Sequence, residues 1–309
     1  MHKVSVLGAG HVGESVGFQL AERGLADVVL IDIIDGMPQG KALDMNQAGA
    51  LFGFDARLEG SNDLTAVKGS DVVVITSGVA RKPGMDRMDL LKTNAGIVKE
   101  VAKAVRANAP ESIVIVVTNP LDVMAYVALK ATGFPRERVL GMAGVLDAAR
   151  FRRFVAWELK VSVRDVAAMV LGGHGDQMVP LPRFSTVNGI PIPELIPKER
   201  IDALVQRTRQ GGGEIVKLLK TGSAYYAPAA SVTVMVEAIL RDTGHLVPAA
   251  AYLEGEYGYR GFHLGVPVTL GRGGVRKVEV LELDAGEKAM LDASAKSVEQ
   301  GVAEVRAFL

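Results

Sequence analysis

Glycines surround the one histidine whose sequence context best suits proton transfer. His174 follows an apolar stretch, Ala167–Leu171, that is typical of a strand, and Gly172, Gly173 and Gly175 flank it. Glycine permits close approach and backbone angles that other residues resist, and the ordinary pKa of imidazole lets it give or take a proton near neutral pH. An exposed turn would show the same pattern. The functional interpretation therefore depends on the groups that the fold could bring to His174.

A carboxylate and an arginine lie one helical turn apart near the start of a predicted helix, as Asp147-Ala-Ala-Arg150. Asp147 could bind one nitrogen of His174, which would fix the tautomer of the ring and raise the basicity of its other nitrogen. Arg150 would then point to the same side of the helix. The helix macrodipole alone would also favour a carboxylate in the first turn, so a purely structural role for Asp147 stays open.

Three cations lie within seven residues of one loop. Arg81, Lys82 and Arg87 surround a Pro83-Gly84 turn that follows a predicted strand and precedes a predicted helix. Guanidinium groups bind carboxylates through two parallel hydrogen bonds, and a loop of this kind suits a lid that closes over a ligand. The alternative is an ordinary solvated basic loop.

A glycine-rich turn follows the first predicted strand, Val4–Leu7, as Gly8-Ala9-Gly10-His11-Val12-Gly13, and a predicted helix over residues 14–23 follows it. The second strand, Val28–Ile31, ends at Asp32, 22 residues after Gly10. Strand, glycines, helix and terminal acid form a dinucleotide-binding fingerprint. The phosphates would bind at the helix N-terminus. Asp32 would bind the ribose hydroxyls and repel a 2′-phosphate, which favours NAD over NADP.

The elements that must position these groups alternate through the first half of the chain. Further strands are predicted at residues 71–76, 113–117 and 138–141, with helices at residues 40–51, 89–108 and 122–132. Unbroken Val and Ile runs between helices predict an α/β fold, a Rossmann doubly wound parallel sheet covered on both faces. Ligands bind beyond the carboxyl ends of such strands, where the glycine turn, Asp32 and Asn119 would all lie.

The pattern changes near Gly144, which predicts a dinucleotide-binding domain at residues 1–143 and an α+β substrate domain at residues 144–309. Alternating segments at residues 247–253, 266–270 and 275–283 predict an antiparallel sheet. Helices are predicted at residues 147–159, 198–220, 228–242 and 285–309. Three consecutive glycines, Gly211–Gly213, are expected to kink or break the second of these helices.

Composition excludes several classes of function. Lys plus Arg and Asp plus Glu both number 35, and a chain without net charge is not expected to bind nucleic acid or an anionic membrane. No segment approaches the roughly 20 apolar residues that a membrane helix needs. The absence of cysteine excludes disulfides, thiolate metal sites and a cysteine nucleophile. We expect a protein of the cytoplasm with no metal site.

Several motifs in order resemble those of the lactate/malate dehydrogenases, and most closely their lactate-dehydrogenase-like malate dehydrogenase group. The resemblance extends from Lys3 to near the C-terminus. It rests on the segments 8–13 (Gly-Ala-Gly-His-Val-Gly), 81–87 (Arg-Lys-Pro-Gly-Met-Asp-Arg), 117–122 (Val-Thr-Asn-Pro-Leu-Asp), 144–150 (Gly-Val-Leu-Asp-Ala-Ala-Arg) and 172–176 (Gly-Gly-His-Gly-Asp).

The resemblance implies a role for each reactive side chain. His174 would donate and accept the proton, and Asp147 would orient it. Arg150 would bind the C1 carboxylate of the substrate, and Arg87 would polarise its ketone when the loop closes. Arg81 occupies the specificity position, where lactate enzymes of the family usually carry glutamine.

The cofactor contacts implied by the resemblance include Asn119, which would touch both nicotinamide and substrate. The full set is Gly8, Ala9, Gly10, His11, Val12, Gly13, Asp32, Asn94, Val117, Thr118 and Asn119. The resemblance also implies a homodimer or homotetramer.

The chemistry of Arg81 favours a substrate with two carboxylates. Arg150 satisfies the single carboxylate of pyruvate, which would leave Arg81 desolvated and unpaired, and an unpaired buried charge is strongly unfavourable. Oxaloacetate supplies the second carboxylate. The expected activity is the NAD-dependent, reversible oxidation of (S)-malate to oxaloacetate, a reaction of the tricarboxylic acid cycle. A lactate or other 2-hydroxyacid dehydrogenase of the same family is the alternative.

Two further alternatives share a nucleotide-binding first half. NAD-dependent glycosidases rely on a metal with Cys and His among its ligands, whereas this chain lacks Cys and its five histidines are scattered. A catalytically inactive NAD-binding module would need no base, orienting acid or arginines, all of which are present here.

Overall fold

A parallel sheet is the centre of the structure, a computed structural model that describes residues 1–79 and 87–307, except the side chain of Arg87. Its parallel strands are β1 (Lys3–Leu7), β2 (Asp27–Ile31), β3 (Leu58–Ser61), β4 (Val72–Ile75), β5 (Ile113–Val116) and β6 (Val139–Gly141). They lie in the order β6-β5-β4-β1-β2-β3 and every neighbouring pair is parallel. This is the doubly wound Rossmann order, which confirms the predicted fold class.

Apolar runs explain why these segments form central strands. Every residue of β4 and β5 is buried, as expected for strands covered on both faces. β1 lies between β2 and β4, with Leu7 opposite both Ile31 and Ile75. The carboxyl ends of these three strands therefore reach the same edge of the sheet.

The edge strand β3 was not predicted from the sequence. Only Leu58 of its four residues is buried, and Gly60 interrupts the pattern. A Cβ atom on Gly60 would overlap the backbone of Pro38 and Gln39, so glycine is needed there for close packing against the following helix. A short edge strand of this kind gives no periodic hydrophobic signal.

Helices connect the parallel strands: α1 (His11–Glu22), α2 (Met37–Phe52), α3 (Arg87–Asn108) and α4 (Leu121–Thr132). All four were predicted within a few residues of their ends. α2 begins after Gly36 and ends before Gly53, both of which have positive φ, and α4 ends before Gly133, which does too. Glycine adopts this conformation most readily.

The second half of the chain contains α5 (Gly144–Leu159), α6 (Ile192–Leu195), α7 (Lys198–Leu219), α8 (Tyr226–Leu240) and α9 (Ala285–Arg306). Its short strands are β7 (Val166–Ala167), β8 (Val170–Leu171), β9 (Val179–Pro180), β10 (Thr186–Val187) and β11 (Ile190–Pro191). The long strands are β12 (His245–Glu254), β13 (Arg260–Gly271) and β14 (Gly274–Val278).

The continuous strand predicted before His174 is wrong. The segment divides into β7, which pairs with β10, and β8, which pairs with β9. The chain changes partners at Met169, whose amide donates to Ser185 Oγ and whose carbonyl accepts from the Leu181 amide. Both partners are distant in the sequence, so the local pattern could not reveal the division.

The three predicted antiparallel strands form, although β13 begins six residues earlier than predicted and β14 ends at Val278 and not at residue 283. They also extend the parallel sheet instead of forming a sheet of their own. The whole sheet runs β14-β13-β12-β6-β5-β4-β1-β2-β3. The junction is a single pairing of Ala250 with Gly141. A Cβ atom on Gly141 would be 3.0 Å from that of Ala250, so two small residues let β12 and β6 approach.

The predicted break in α7 is also wrong. The helix continues from Lys198 to Leu219 through Gly211–Gly213. One face, formed by Ile201, Leu204, Thr208 and Gly211, is buried along its length. Packing of that face outweighs the cost of roughly 1 kcal/mol for each interior glycine.

No helix within the described ranges is both long enough and apolar enough to cross a bilayer.

The buried side chain of His263 makes the fold sensitive to acid. Its Nε2 donates a hydrogen bond to the carbonyl of Val139 at 3.0 Å and joins β13 to the parallel half of the sheet. Burial lowers the pKa of His263 to about 4, although the bond to Val139 opposes this change. The unfolded chain therefore binds a proton at His263 more readily than the folded protein does. The free energy of unfolding should fall as the pH drops from about 6.5 towards 4.

We predict that His263→Gln reduces this acid sensitivity. Between pH 7.5 and 5.0 the free energy of unfolding of the original protein should fall by about 2 kcal/mol more than that of the variant, because only the former protonates on unfolding. Urea denaturation at a fixed protein concentration measures both values. Equal pH dependence in the two proteins would show that His263 is not the group responsible.

Candidate active site at the carboxyl edge of the sheet

The glycine turn after β1 has the geometry of a nucleotide cradle. Gly8 has φ +103°, and a Cβ atom there would be 2.6 Å from Thr76 Oγ1. A Cβ atom on Gly13 would overlap the carbonyl oxygen of Gly8. A Cβ atom on Gly10, in contrast, would have no described neighbour within 4 Å, so open space lies above the turn at the N-terminus of α1. These features fit a bound pyrophosphate.

Asp32 is held beside this turn at the end of β2. Its Oδ2 accepts a hydrogen bond from the Ala9 amide at 2.8 Å, and its Oδ1 accepts one from the Ile34 amide at 3.1 Å. The carboxylate is only partly buried. It therefore remains accessible where the ribose of a dinucleotide is expected.

Lys41 stabilises the same turn through contacts that the sequence did not predict. Lys41 Nζ donates to the Ala9 carbonyl at 2.7 Å and forms an ion pair with Glu14. Burial opposes ionisation of Glu14, but hydrogen bonds and charges from Lys41 and His11 hold the pKa of Glu14 below its ordinary value. His11 is itself largely exposed, with its ring 5.1 Å from that of Tyr225. Nothing in the local sequence around Lys41 indicates that its side chain contacts the Ala9 carbonyl.

Polar groups join the ends of β4 and β5. Thr118 Oγ1 donates to the Ser77 carbonyl at 2.7 Å. Asn94 is only 2% exposed; its Oδ1 accepts from the Val79 amide, and its Nδ2 donates to the carbonyls of Val79 and Asn119. The Asn94 amide is thus occupied within the protein. It fixes the main chain on which Asn119 is placed.

The remaining sequence-predicted residues of the cradle have backbone roles or lie elsewhere. The Val117 amide donates to the Ile75 carbonyl at 2.8 Å, and Val12 packs against the core from the first turn of α1. Arg81 lies outside the described residues. Arg87 begins α3, but its side chain also lies outside the described part of the chain.

Asp147 joins the predicted base to the predicted carboxylate-binding arginine. Its carboxyl group is 2% exposed and lies in the first turn of α5. Oδ2 is 2.9 Å from His174 Nδ1, and Oδ1 accepts from Arg150 Nη1 at 3.2 Å. The bond to Nδ1 leaves Nε2 as the ring nitrogen for a ligand. The structure therefore brings these three predicted residues together.

The charges around the ring favour imidazolium. Burial opposes the charged form of His174, but the charge and hydrogen bond of Asp147, together with the charge of Asp122, outweigh it and raise the pKa of His174. The side chain retains 17% exposure, so a ligand can reach it from the edge of the sheet. A buried histidine that is oriented by a carboxylate can both take up and release a proton at neutral pH.

Two of the three consecutive glycines of α7 pack against Arg150, a contact that the sequence did not reveal. A Cβ atom on Gly211 would be 3.0 Å from Arg150 Cδ, and one on Gly212 would be 3.6 Å from Arg150 Nη2. A Cβ atom on Gly213 would have no described neighbour within 4 Å. Gly211 and Gly212 therefore form a shallow groove in which the Arg150 side chain lies.

Three successive backbone amides hold the loop that carries the histidine. The Gly172 amide donates to the Gly265 carbonyl at 2.8 Å, the Gly173 amide to Ser294 Oγ at 2.8 Å, and the His174 amide to Asp122 Oδ2 at 2.9 Å. These acceptors belong to β13, α9 and α4 respectively. Neither Ser294 nor Asp122 was predicted from the sequence to contact this loop, because both contacts join residues that are distant in the chain.

Comparison with known proteins gives a consistent result over the whole chain. The family model of the NAD-binding domain of lactate/malate dehydrogenases matches residues 2–141, and that of their alpha/beta C-terminal domain matches residues 144–309. A malate dehydrogenase from Roseiflexus sp. (strain RS-1) is 54% identical over 306 residues, which are 99% of each chain.

Solved structures agree with these matches. The apo malate dehydrogenase of Picrophilus torridus has a TM-score of 0.97 at 47% identity, covering 99% of this chain and 98% of that one. A Cryptosporidium parvum lactate dehydrogenase, complexed with lactic acid and nicotinamide adenine dinucleotide, has a TM-score of 0.94 at 42% identity, covering 98% and 97%. The chain belongs to the lactate/malate dehydrogenase family.

Proposed function

We propose that this chain is an NAD-dependent malate dehydrogenase that interconverts (S)-malate and oxaloacetate. The observation that carries the proposal is the contact of one buried carboxylate, Asp147, with both His174 and Arg150. This arrangement puts a proton donor and acceptor beside a cation that can bind a carboxylate. The relatives named malate dehydrogenase, at 53–57% identity, favour malate over lactate.

The cofactor would lie along the carboxyl edge of the sheet. The amides of the turn Gly8–Gly13 would bind its pyrophosphate, Asp32 its adenosine ribose, and the segment Val117–Asn119 its nicotinamide half. When bound, the nicotinamide exchanges a hydride with C2 of the substrate. The open space above Gly10 and the accessible carboxylate of Asp32 support this placement.

The chain itself supplies proton transfer and charge. In malate oxidation, His174 Nε2 takes the proton of the C2 hydroxyl, and Asp147 stabilises the imidazolium that forms. In oxaloacetate reduction, the same nitrogen returns the proton to the ketone oxygen. Arg150 binds the C1 carboxylate and places C2 next to the imidazole.

Substrate choice and closure would depend on the basic loop. Arg81 would bind the second carboxylate of malate or oxaloacetate, and Arg87 would polarise the ketone once the loop excludes water. Pyruvate would leave Arg81 without an anionic partner, which is costly in a desolvated site.

We further propose a homodimer or homotetramer in the cytoplasm, with the domain boundary between residues 143 and 144. The first family model ends at residue 141 and the second begins at residue 144, which supports the boundary. α2 buries only Pro38, Ala42 and Gly49 of its 16 residues, whereas Leu51 is 89% exposed. Leu43 and Phe52 of the same helix are exposed as well, and several exposed apolar side chains on one helix support an interface with a second copy.

We predict that Arg81 decides between substrates. The protein should prefer oxaloacetate to pyruvate in NADH-dependent reduction, and Arg81→Gln should lower the ratio of the two kcat/KM values by at least about a hundredfold. Steady-state rates at the nicotinamide absorbance band measure both values. A preference of the original protein for pyruvate would favour the lactate dehydrogenase alternative, and an unchanged ratio in the variant would exclude Arg81 as the discriminator.

We predict that His174→Ala removes turnover but not cofactor binding. Loss of general acid–base catalysis should lower kcat for oxaloacetate reduction by about a thousandfold, while NADH affinity, measured by fluorescence titration, should stay nearly unchanged. A comparable loss of NADH affinity would contradict the assigned role. Failure of the original protein to reduce oxaloacetate while binding NADH would support an inactive binding module.

We predict that Gly211→Ala weakens substrate binding, because its new Cβ atom must displace the Arg150 side chain. The KM for oxaloacetate should rise about tenfold. Gly213→Ala is the matched control in the same helix, where the added methyl group meets no described neighbour. It should leave KM unchanged and raise the thermal stability slightly. Equal effects of both substitutions on KM would show that Gly211 acts only through the helix.

A further inference from the structure

The carboxylate of Asp122 differs from the other two groups that hold the histidine loop. Gly265 and Ser294 bind the preceding amides with uncharged oxygens, whereas Asp122 binds the His174 amide with a carboxylate. A neutral acceptor would also satisfy the amide and would cost less to bury. The charge therefore needs an explanation beyond the hydrogen bond.

The surroundings of Asp122 make the charged form of its carboxylate energetically unfavourable. The residue is 5% exposed, and its Oδ1 atom has no hydrogen-bond partner within the part of the chain that the structure describes. The titratable groups that face it are His174 on the histidine loop and Asp147 on α5, and Arg150 on α5 adds a further charge near the imidazole. Ser294 on α9 is uncharged. Burial raises the pKa of Asp122 to about 6, while the amide and charge of His174 oppose that rise.

The position of Asp122 connects the two functional halves of the site. It lies in the first turn of α4, three residues after Asn119, whose carbonyl is fixed by Asn94. Its bond to the His174 amide therefore ties the base to the same turn that presents Asn119. Among the three bonds that hold the histidine loop, this one therefore links the proposed base directly to the turn of the proposed nicotinamide contact.

We propose that Asp122 is a positioning residue that fixes the backbone of His174 against the Asn119 turn, and that its negative charge favours the imidazolium form of His174. The inference rests on the proposed function only for the catalytic meaning of that imidazolium. Asp147 acts on the ring through Nδ1, and Asp122 acts from the main-chain side of the same residue. Two carboxylates on separate helices thus share one histidine.

The test is a titration of His174 in Asp122→Asn, a substitution that keeps an acceptor oxygen and removes the charge. The imidazole C2–H resonance of His174, assigned by its absence from His174→Gln, reports its protonation by NMR in the NADH complex. We expect the midpoint to fall by about one pH unit in the variant. The alkaline limb of the kcat/KM profile for oxaloacetate reduction, which requires imidazolium, should move down by the same amount.

Ser294→Ala is the matched control, because it frees the neighbouring amide of Gly173 without changing any charge. Its His174 midpoint should not move. Equal shifts in both variants would mean that loosening of the loop causes the change, and no shift in Asp122→Asn would mean that the charge does not reach the imidazole. Either result overturns the proposal. Asp122→Ser serves as a second uncharged variant if the first does not fold.

The titration separates this inference from the proposed function. It is measured without substrate or turnover, so an original protein that fails to reduce oxaloacetate still gives a His174 midpoint. A normal shift with no activity would refute the proposed reaction and leave the role of Asp122 intact. Normal activity with no shift of the His174 midpoint would support the proposed reaction and refute the role of Asp122.

Discussion

The site depends on one buried carboxylate whose two oxygens bind two different side chains. Asp147 binds the imidazole through Oδ2 and the guanidinium of Arg150 through Oδ1. A lone buried carboxylate would be costly, and these two partners offset the loss of hydration. Because both contacts are made by the same carboxylate, the proposed base and the proposed carboxylate-binding cation are held on either side of one group.

The two halves of the chain contribute to this arrangement in different ways. The first half provides an edge at which parallel strands end together, so that the turn after β1, Asp32 after β2 and Asn119 after β5 lie at the same edge of the sheet. The second half provides the charged groups on α5 and the histidine loop. β12 pairs with β6 at Ala250 and Gly141, so both halves share one sheet. Amides of the histidine loop donate hydrogen bonds to acceptors on β13, α9 and α4 and so fix the loop to the shared sheet.

The parts predicted from the sequence are those that local chemistry determines. The glycine turn, the Val and Ile runs and Asp32 carry their signals within about 30 residues, and the structure places them as expected. The contacts of Asp122 and Ser294 with the histidine loop join residues 52 and 121 positions apart, so no local pattern could reveal them. The division between β7 and β8 was also invisible in the local sequence, because the two strands pair with different partners later in the chain.

The wrong prediction for α7 shows that glycines which make room for another side chain can look like glycines that break a helix. Consecutive glycines normally indicate a weak point in a helix, at a cost of roughly 1 kcal/mol each. Gly211 nevertheless lies inside an unbroken helix, where its missing side chain leaves room for Arg150. The helix is less stable than an alanine version would be, and the arginine gains a defined position. Helix propensity correctly indicates that these glycines destabilise α7. The side chain that they make room for, Arg150, lies on another helix, 61 residues before Gly211 in the chain.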